Sequence, residues 1–204
     1  MDGSGSACGV FGGTFDPIHL GHLLVAELAR EQLGLARVLF LPAARSPHKA
    51  GQVPAADHHR RAMVELAIAD HPAFALSTVD LDRPAPSYTV DSLALLRAAA
   101  PDVAEWVLIL GGDSLLGLST WREPAGIAAQ AALAVFDRPG APLDLEALTA
   151  RWPYLAGRVR QIAGPRLEIS ATDIRRRQAE SRTIRYQVPE SVRAYIAAQG
   201  LYAA

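Results

Sequence analysis

The chain of 204 residues is long enough for one domain with a real core, and half of its residues are apolar. Twenty basic residues against 21 acidic ones leave a formal net charge of −1, which argues against a global field for nucleic acid or an anionic membrane. A single cysteine, Cys8, excludes an internal disulfide framework.

The start, Met1 to Ala7, is polar and Gly/Ser-rich, is expected to be flexible, and lacks the basic-then-apolar pattern of a targeting segment. Cys8–Phe11 reads as a buried strand followed by glycines. Leu20–Leu33 is helical, with Leu23, Leu24, Leu28 and Leu33 near one face and Gly34 as a stop. Val38–Leu41 is a second strand ended by Pro42, and a Pro/Gly/Ala-rich loop covers 43–53. A helix over about 54–69 carries Met63, Leu66 and Ala67, and a strand follows at Phe74–Val79. Tyr88–Ala99 is a helix with Leu93 and Leu96 on one face, and Trp106–Leu110 and Leu133–Phe136 are strands. Beyond Pro139, the spacing of Leu145, Leu148, Trp152 and Leu155 predicts one helix. Val159–Ile162 is a short strand, and Thr172–Ala179 and Pro189–Gln199 are helices, the last stopped by Gly200.

Strands with continuous apolar runs that alternate with helices predict an α/β fold, a parallel sheet covered by helices on both faces. Residues 1–204 are expected to form one domain, with a small helical C-terminal part at 165–204. The longest apolar stretches, Trp106–Leu110 and Ala131–Phe136, are far shorter than the ~20 residues of a membrane span, so a soluble, cytoplasmic protein is expected.

The first strand–helix junction reads Gly12-Gly13-Thr14-Phe15-Asp16-Pro17-Ile18-His19-Leu20-Gly21-His22. It is neither the dinucleotide G-x-G-x-x-G nor the P-loop. Paired glycines let a ligand approach the backbone, and a helix starting near His19 offers N–H groups and a positive dipole end to an anion. His19 and His22, three apart, can touch one ligand, and Gly21 keeps the surface between them low. The pair would also suit half of a metal site, although no third and fourth ligand stands at convincing spacing, or two core histidines.

With Gly12-Gly13-Thr14-Phe15-Asp16-Pro17 before it, the histidine pair resembles the H-x-G-H signature of the nucleotidylyltransferase superfamily. Ile169-Ser170-Ala171-Thr172-Asp173-Ile174-Arg175, about 150 residues later, resembles its second motif, I-S-S-T-x-I-R, with Ala171 where a second Ser is common. Within the superfamily the chain is most similar to the bacterial nicotinate-nucleotide adenylyltransferases. The further marks are Pro47-His48-Lys49, Arg60-x-x-Met63, Pro86-Ser87-Tyr88-Thr89, Gly111-Gly112-Asp113, Trp121, Arg138-Pro139-Gly140 and the C-terminal Gly200-Leu201-Tyr202.

The resemblance implies a Rossmann-like fold and transfer of AMP from ATP to nicotinate mononucleotide, giving deamido-NAD and pyrophosphate. Two alternatives stay open: the same reaction with nicotinamide mononucleotide preferred, and a catalytically silent nucleotide-binding regulator. The attacking phosphate oxygen is already anionic, so neither a general base nor a covalent nucleophile is required, and Cys8 is read as packing. His22 is expected to stabilise the transferring α-phosphate and His19 to hold the triphosphate, both favoured in the charged form by surrounding phosphates. Gly12, Gly13 and Thr14 would form the phosphate turn, and Gly111 and Asp113 would meet the ribose. Ser170, Thr172 and Arg175 would bind the β- and γ-phosphates, with Arg175 among the catalytic residues. Mg²⁺ would be held mainly by ATP, without dedicated protein ligands.

On the acceptor side the resemblance implies Thr14, Lys49, Tyr88, Thr89 and Trp121, with Trp121 stacking on the pyridine ring. Lys49 is the sole lysine, the other nineteen basic residues being Arg, and asparagine is absent. Arg176 and Arg177 read as a solvated face, and oligomeric state, monomer or homo-oligomer, is left open.

Overall fold

The structure, a computed structural model, describes residues 6–44, 54–136, 144–165 and 167–203. Its strands are β1 (Ala7–Gly13), β2 (Arg37–Pro42), β3 (Phe74–Leu76), β4 (Glu105–Gly111), β5 (Ala132–Phe136) and β6 (Val159–Ile162). The helices are α1 (Leu20–Leu33), α2 (Asp57–Ile68), α3 (Thr89–Ala99), α4 (Gly112–Leu116), α5 (Pro124–Gln130), α6 (Leu145–Arg151), α7 (Ala171–Ala179) and α8 (Glu190–Ala198).

All five strand pairings are parallel, in the order β3-β2-β1-β4-β5-β6. The continuous apolar strands are explained by this: alternate residues feed two cores. Phe11, Phe40, Val107 and Ile109 pack toward α1, α2 and α8 on one face, while Val10, Leu108, Leu110 and Leu133 pack toward α3 and α5 on the other. The order reverses between β1 and β4, the crevice where an open α/β sheet presents ligand-binding loops. The expected Rossmann-like architecture is therefore the observed one.

Several boundaries differ for physical reasons. β3 stops at Leu76, because Ser77 makes the last bond to β2, through Phe40 (2.9 Å), and the chain then turns with Thr78 Oγ1 donating to Asp82 Oδ2 (2.6 Å). The helix predicted across 145–155 is broken: Pro153 cannot donate, so α6 ends at Arg151 and a 3₁₀ turn, Pro153–Leu155, follows. Leu66 is not core but 38% exposed; Arg60, Met63, Val64, Ala67 and Ile68 are the buried residues of α2. Likewise α1 buries Ala26 and Ala29 most deeply, so small residues bring it close to the sheet. The short α4 and α5 follow glycines and a proline, and carry too few turns to show a clear apolar period.

Past β6 the chain is steered by Gly164. A Cβ there would stand 2.5 Å from Leu28 Cδ1 of α1 and 2.6 Å from Phe136 Cε2 of β5, so any larger residue would force these side chains to shift for the chain to exit this low over α1. That path delivers Ile169 and Ser170 to the first turn of α1.

Candidate active site

The carboxyl ends of β1 and β4 open into a cleft of about 980 Å³. Its walls bring together Gly12, Gly13, Thr14, His19 and His22 from the first junction, Gly111 and Asp113 from β4–α4, and Ser170 from the second motif. Tyr88, Thr89 and Trp121 line the same cleft. Of the expected contacts, Thr172 and Arg175 are not on its wall, and Lys49 lies outside the described residues.

The histidine side of the cleft is built by hydrogen bonds between protein groups. His19 has extended backbone angles (φ −145°, ψ 169°) and caps α1, so the two histidines are not both inside the helix as their spacing implied. Their rings are instead stacked, with centroids 3.6 Å apart. The His19 N–H donates to His22 Nδ1 (3.2 Å), which makes Nδ1 an acceptor and leaves the proton of the neutral ring on Nε2. Phe15 and Phe11 meet the His22 ring edge-on at 5.1 and 5.9 Å and fix its plane. Gly21 has a sterner reason than a low surface: a Cβ there would stand 3.1 Å from His19 Nδ1.

His19 is only 7% exposed, and burial lowers its pKa from 6.5 to about 4. In the free protein it is therefore neutral, and the charged form expected from sequence concerns a histidine surrounded by phosphates. Its Nδ1 and the Oγ of Ser87 are buried without a partner among the described residues, a costly state that here falls twice on the cleft. The first turn of α1 is partly spent: Leu20 N–H donates to Gln187 O (3.0 Å) and His22 N–H to His19 O (2.9 Å).

Two buried side chains that the sequence reading named as family marks but gave no role hold this junction. Arg60 is fully buried and donates to the carbonyls of Thr14 (2.8 Å), Ala55 (3.1 Å) and Ala44 (3.3 Å), and to Asp57 (2.5 Å). Asp16 Oδ1 accepts from Tyr202 Oη (2.7 Å) and Ala55 N–H (3.2 Å), while its carbonyl accepts from Arg175 Nη1 (2.6 Å). Arg175 is thus placed beside Asp16 rather than in the open cleft. The remaining arginines of the second motif do form a polar face: Arg176 and Arg177 both pair with Asp173. Ser170 caps α7, its Oγ accepting from Asp173 N–H (3.2 Å).

The opposite wall is built of rings. Tyr88 caps α3, Trp121 follows the 3₁₀ turn Leu118–Thr120, and the Arg122 guanidinium lies 4.8 Å over the Tyr88 ring. Arg122 also lines the cleft and stands 3.6 Å from Glu123 and 3.8 Å from Asp91, contacts too long for hydrogen bonds. In a chain that writes nearly every cation as Arg, it carried no separate signal. Behind α3, buried Asp80 accepts from Arg83 and from Ser92 Oγ, both at 2.5 Å, and steadies the approach to Tyr88. Among the described residues, no three His, Cys, Asp or Glu gather where they could hold a metal ion, and no helix is long and apolar enough to cross a membrane.

Comparison with known proteins follows the same lines. A model of the cytidylyltransferase-like family matches residues 10–177. A Thermomicrobium roseum protein named "Probable nicotinate-nucleotide adenylyltransferase" is 55% identical over 97% of this chain and 92% of its own length. The chain belongs to the nicotinate-nucleotide adenylyltransferase family. A Thermus thermophilus member of the same printed name is 46% identical over 95% of this chain and 98% of its own. The fold is also that of the Plasmodium falciparum nicotinic acid mononucleotide adenylyltransferase complexed with NaAD, with a TM-score of 0.78 at 20% identity and 97% coverage of both chains.

Proposed function

We propose that this chain joins the AMP moiety of ATP to the phosphate of nicotinate mononucleotide, releasing pyrophosphate and forming deamido-NAD. The observation that carries the reading is a single cleft, large enough for two nucleotides, with a histidine-bearing phosphate turn on one side and a Tyr88–Trp121 ring pocket on the other. Its family membership supports the same reading.

The chemistry asks for alignment of two anions and for donors at the reacting phosphorus. His22, with Nδ1 engaged and its plane set by two phenylalanines, offers Nε2–H to the α-phosphate. His19, neutral in the free protein, gains a proton preference as phosphates enter. Gly12, Gly13 and Thr14 let the phosphates lie against the backbone; Ser170, Thr172 and Arg175 serve the β- and γ-phosphates from α7, and Gly111 and Asp113 serve the ribose. Thr14, Lys49, Tyr88, Thr89 and Trp121 hold the acceptor, with Trp121 against its ring. The donor set suits a Mg²⁺ carried on the triphosphate, since no described side-chain cluster competes for it. The chemistry such an ion would supply is neutralisation of charge on the leaving pyrophosphate. Residues 1–204 act as one domain in this reading, in the cytoplasm.

Incubation with Mg-ATP and nicotinate mononucleotide should yield pyrophosphate and deamido-NAD in equal amounts, with neither product when one substrate is withheld. Phosphate release from ATP alone, without the dinucleotide, would contradict the reading.

A further inference from the structure

We propose that Asp80 is a positioning residue for the acceptor pocket, acting through Arg83 and Ser92 on Tyr88; the inference rests on the assignment of Tyr88 to nicotinate mononucleotide. Asp80 lines the cleft yet is only 6% exposed, and Ser92 of α3 is 1% exposed. Asp80 Oδ1 accepts from Arg83 Nη2 and from Ser92 Oγ, each at 2.5 Å, and Arg83 Nη2 also donates to Ser92 Oγ at 2.9 Å. Arg83 Nε donates to the Val79 carbonyl at 2.9 Å. The three side chains form a closed triangle in which a buried carboxylate is paired with a cation, so removing either leaves the other poorly compensated.

The triangle holds the stretch of chain between Arg83 and Tyr88. Pro84 and Pro86 have no N–H to donate, and residues 83–87 make no backbone–backbone hydrogen bond to any described residue. Side chains at the two ends must therefore fix this stretch: Arg83 ties its start, Ser92 ties the helix that follows it, and Asp80 joins the two. Ser92 N–H donates to the Tyr88 carbonyl at 3.0 Å, and the Ser92 hydroxyl stands 3.0 Å from the same oxygen. That hydroxyl has one proton, and the nearer carboxylate takes it. Without the carboxylate the proton turns back to the Tyr88 carbonyl, a bond of the kind that bends a helix, and Arg83 loses its partner. Tyr88 caps α3 and lines the cleft, so both changes fall on its seat. The triangle's hydrogen bonds end on Val79 and Tyr88, away from the phosphate turn.

The test is a double-mutant cycle in the full chain, with Asp80→Asn, Ser92→Ala and both together, reading kcat, the KM for each substrate and the melting temperature. Asp80→Asn keeps the shape of the side chain and should raise the KM for nicotinate mononucleotide about fivefold, the difference between a charge-assisted and a neutral hydrogen bond. The KM for ATP and kcat should stay within about twofold of the parent values. Ser92→Ala should raise the acceptor KM about threefold, and the double variant should be no worse than Asp80→Asn, because the two residues act as one unit. Should Asp80→Asn fail to fold, Ser92→Ala carries the test by itself. A lower melting temperature with both KM values unchanged, equal rises in both KM values, or effects that multiply in the double variant would overturn the inference. If Tyr88→Ala leaves the KM for nicotinate mononucleotide unaltered, the assignment of Tyr88 to the acceptor falls, and this inference with it. If Tyr88→Ala raises it and Asp80→Asn does not, only the inference falls.

Discussion

The two sides of the cleft are built in different ways. On the histidine side, buried polar groups hold one another: Arg60 binds Thr14, Ala44 and Ala55, Asp16 binds Tyr202 and Ala55, and the His19 backbone N–H donates to His22 Nδ1. On the opposite side, the wall is lined by Trp121, Tyr88 and Arg122, with the Arg122 guanidinium over the Tyr88 ring, and the described carboxylates paired with Arg122, Asp91 and Glu123, are beyond hydrogen-bond reach. In the proposed function the difference follows the chemistry, with the phosphates on the histidine side and the acceptor ring on the other. Charge develops at the α-phosphate, where a donor misplaced by an ångström loses most of its effect. The acceptor ring needs only to be selected and laid flat, which apolar faces do with looser tolerance.

The contrast can be broken at four points. His22→Ala removes a preorganised donor from the reacting centre and should lower kcat by about 10²- to 10³-fold while binding of ATP largely survives. Steady-state kinetics beside equilibrium binding of a non-hydrolysable ATP analogue would check this, and equal losses in both would make the histidine side a mere binding surface. The second point is pH. Because burial lowers the His19 pKa to about 4, the unfolded chain takes up this proton first, near pH 6.5. The associated stability is full above pH 6.5 and is lost as pH falls toward 4, by about 3 kcal/mol in total. Urea denaturation at several pH values should show His19→Gln with a shallower acid loss than the parent chain.

Smaller effects belong to the other wall. Trp121→Ala should raise the KM for nicotinate mononucleotide about tenfold, the size of one lost stacking contact, and leave the KM for ATP unchanged. Arg122 is half exposed, with 52% of its side chain accessible, so solvent screens it. Arg122→Gln should cost only about two- to threefold in kcat/KM, all of it on the acceptor. A change in ATP affinity from either variant would erase the distinction between the walls.

Much of this was legible in the sequence, and what was not has physical causes. α1 and β6 match their expected bounds, and Gly34, in the left-handed conformation, stops the helix. The cleft's glycines and histidines were found because their function is local: a turn, a cap and a ring pair within eleven residues. Arg60, Asp16 and Tyr202 were quoted as family marks without a role, since their contacts join positions 16 to 186 residues apart that no local pattern connects. Ser87 was passed over because a buried unpaired hydroxyl is visible only once its neighbours are known. The placement of Arg175 and the neutral His19 likewise depend on burial, which residue spacing does not report. Lys49, read as the acceptor phosphate's partner, remains a reading from sequence.

The most direct test of the proposed activity compares two acceptors differing by one group. Pyrophosphate release from Mg-ATP should be faster, in kcat/KM, with nicotinate mononucleotide than with nicotinamide mononucleotide. Equal or faster turnover of the amide would contradict the substrate assignment.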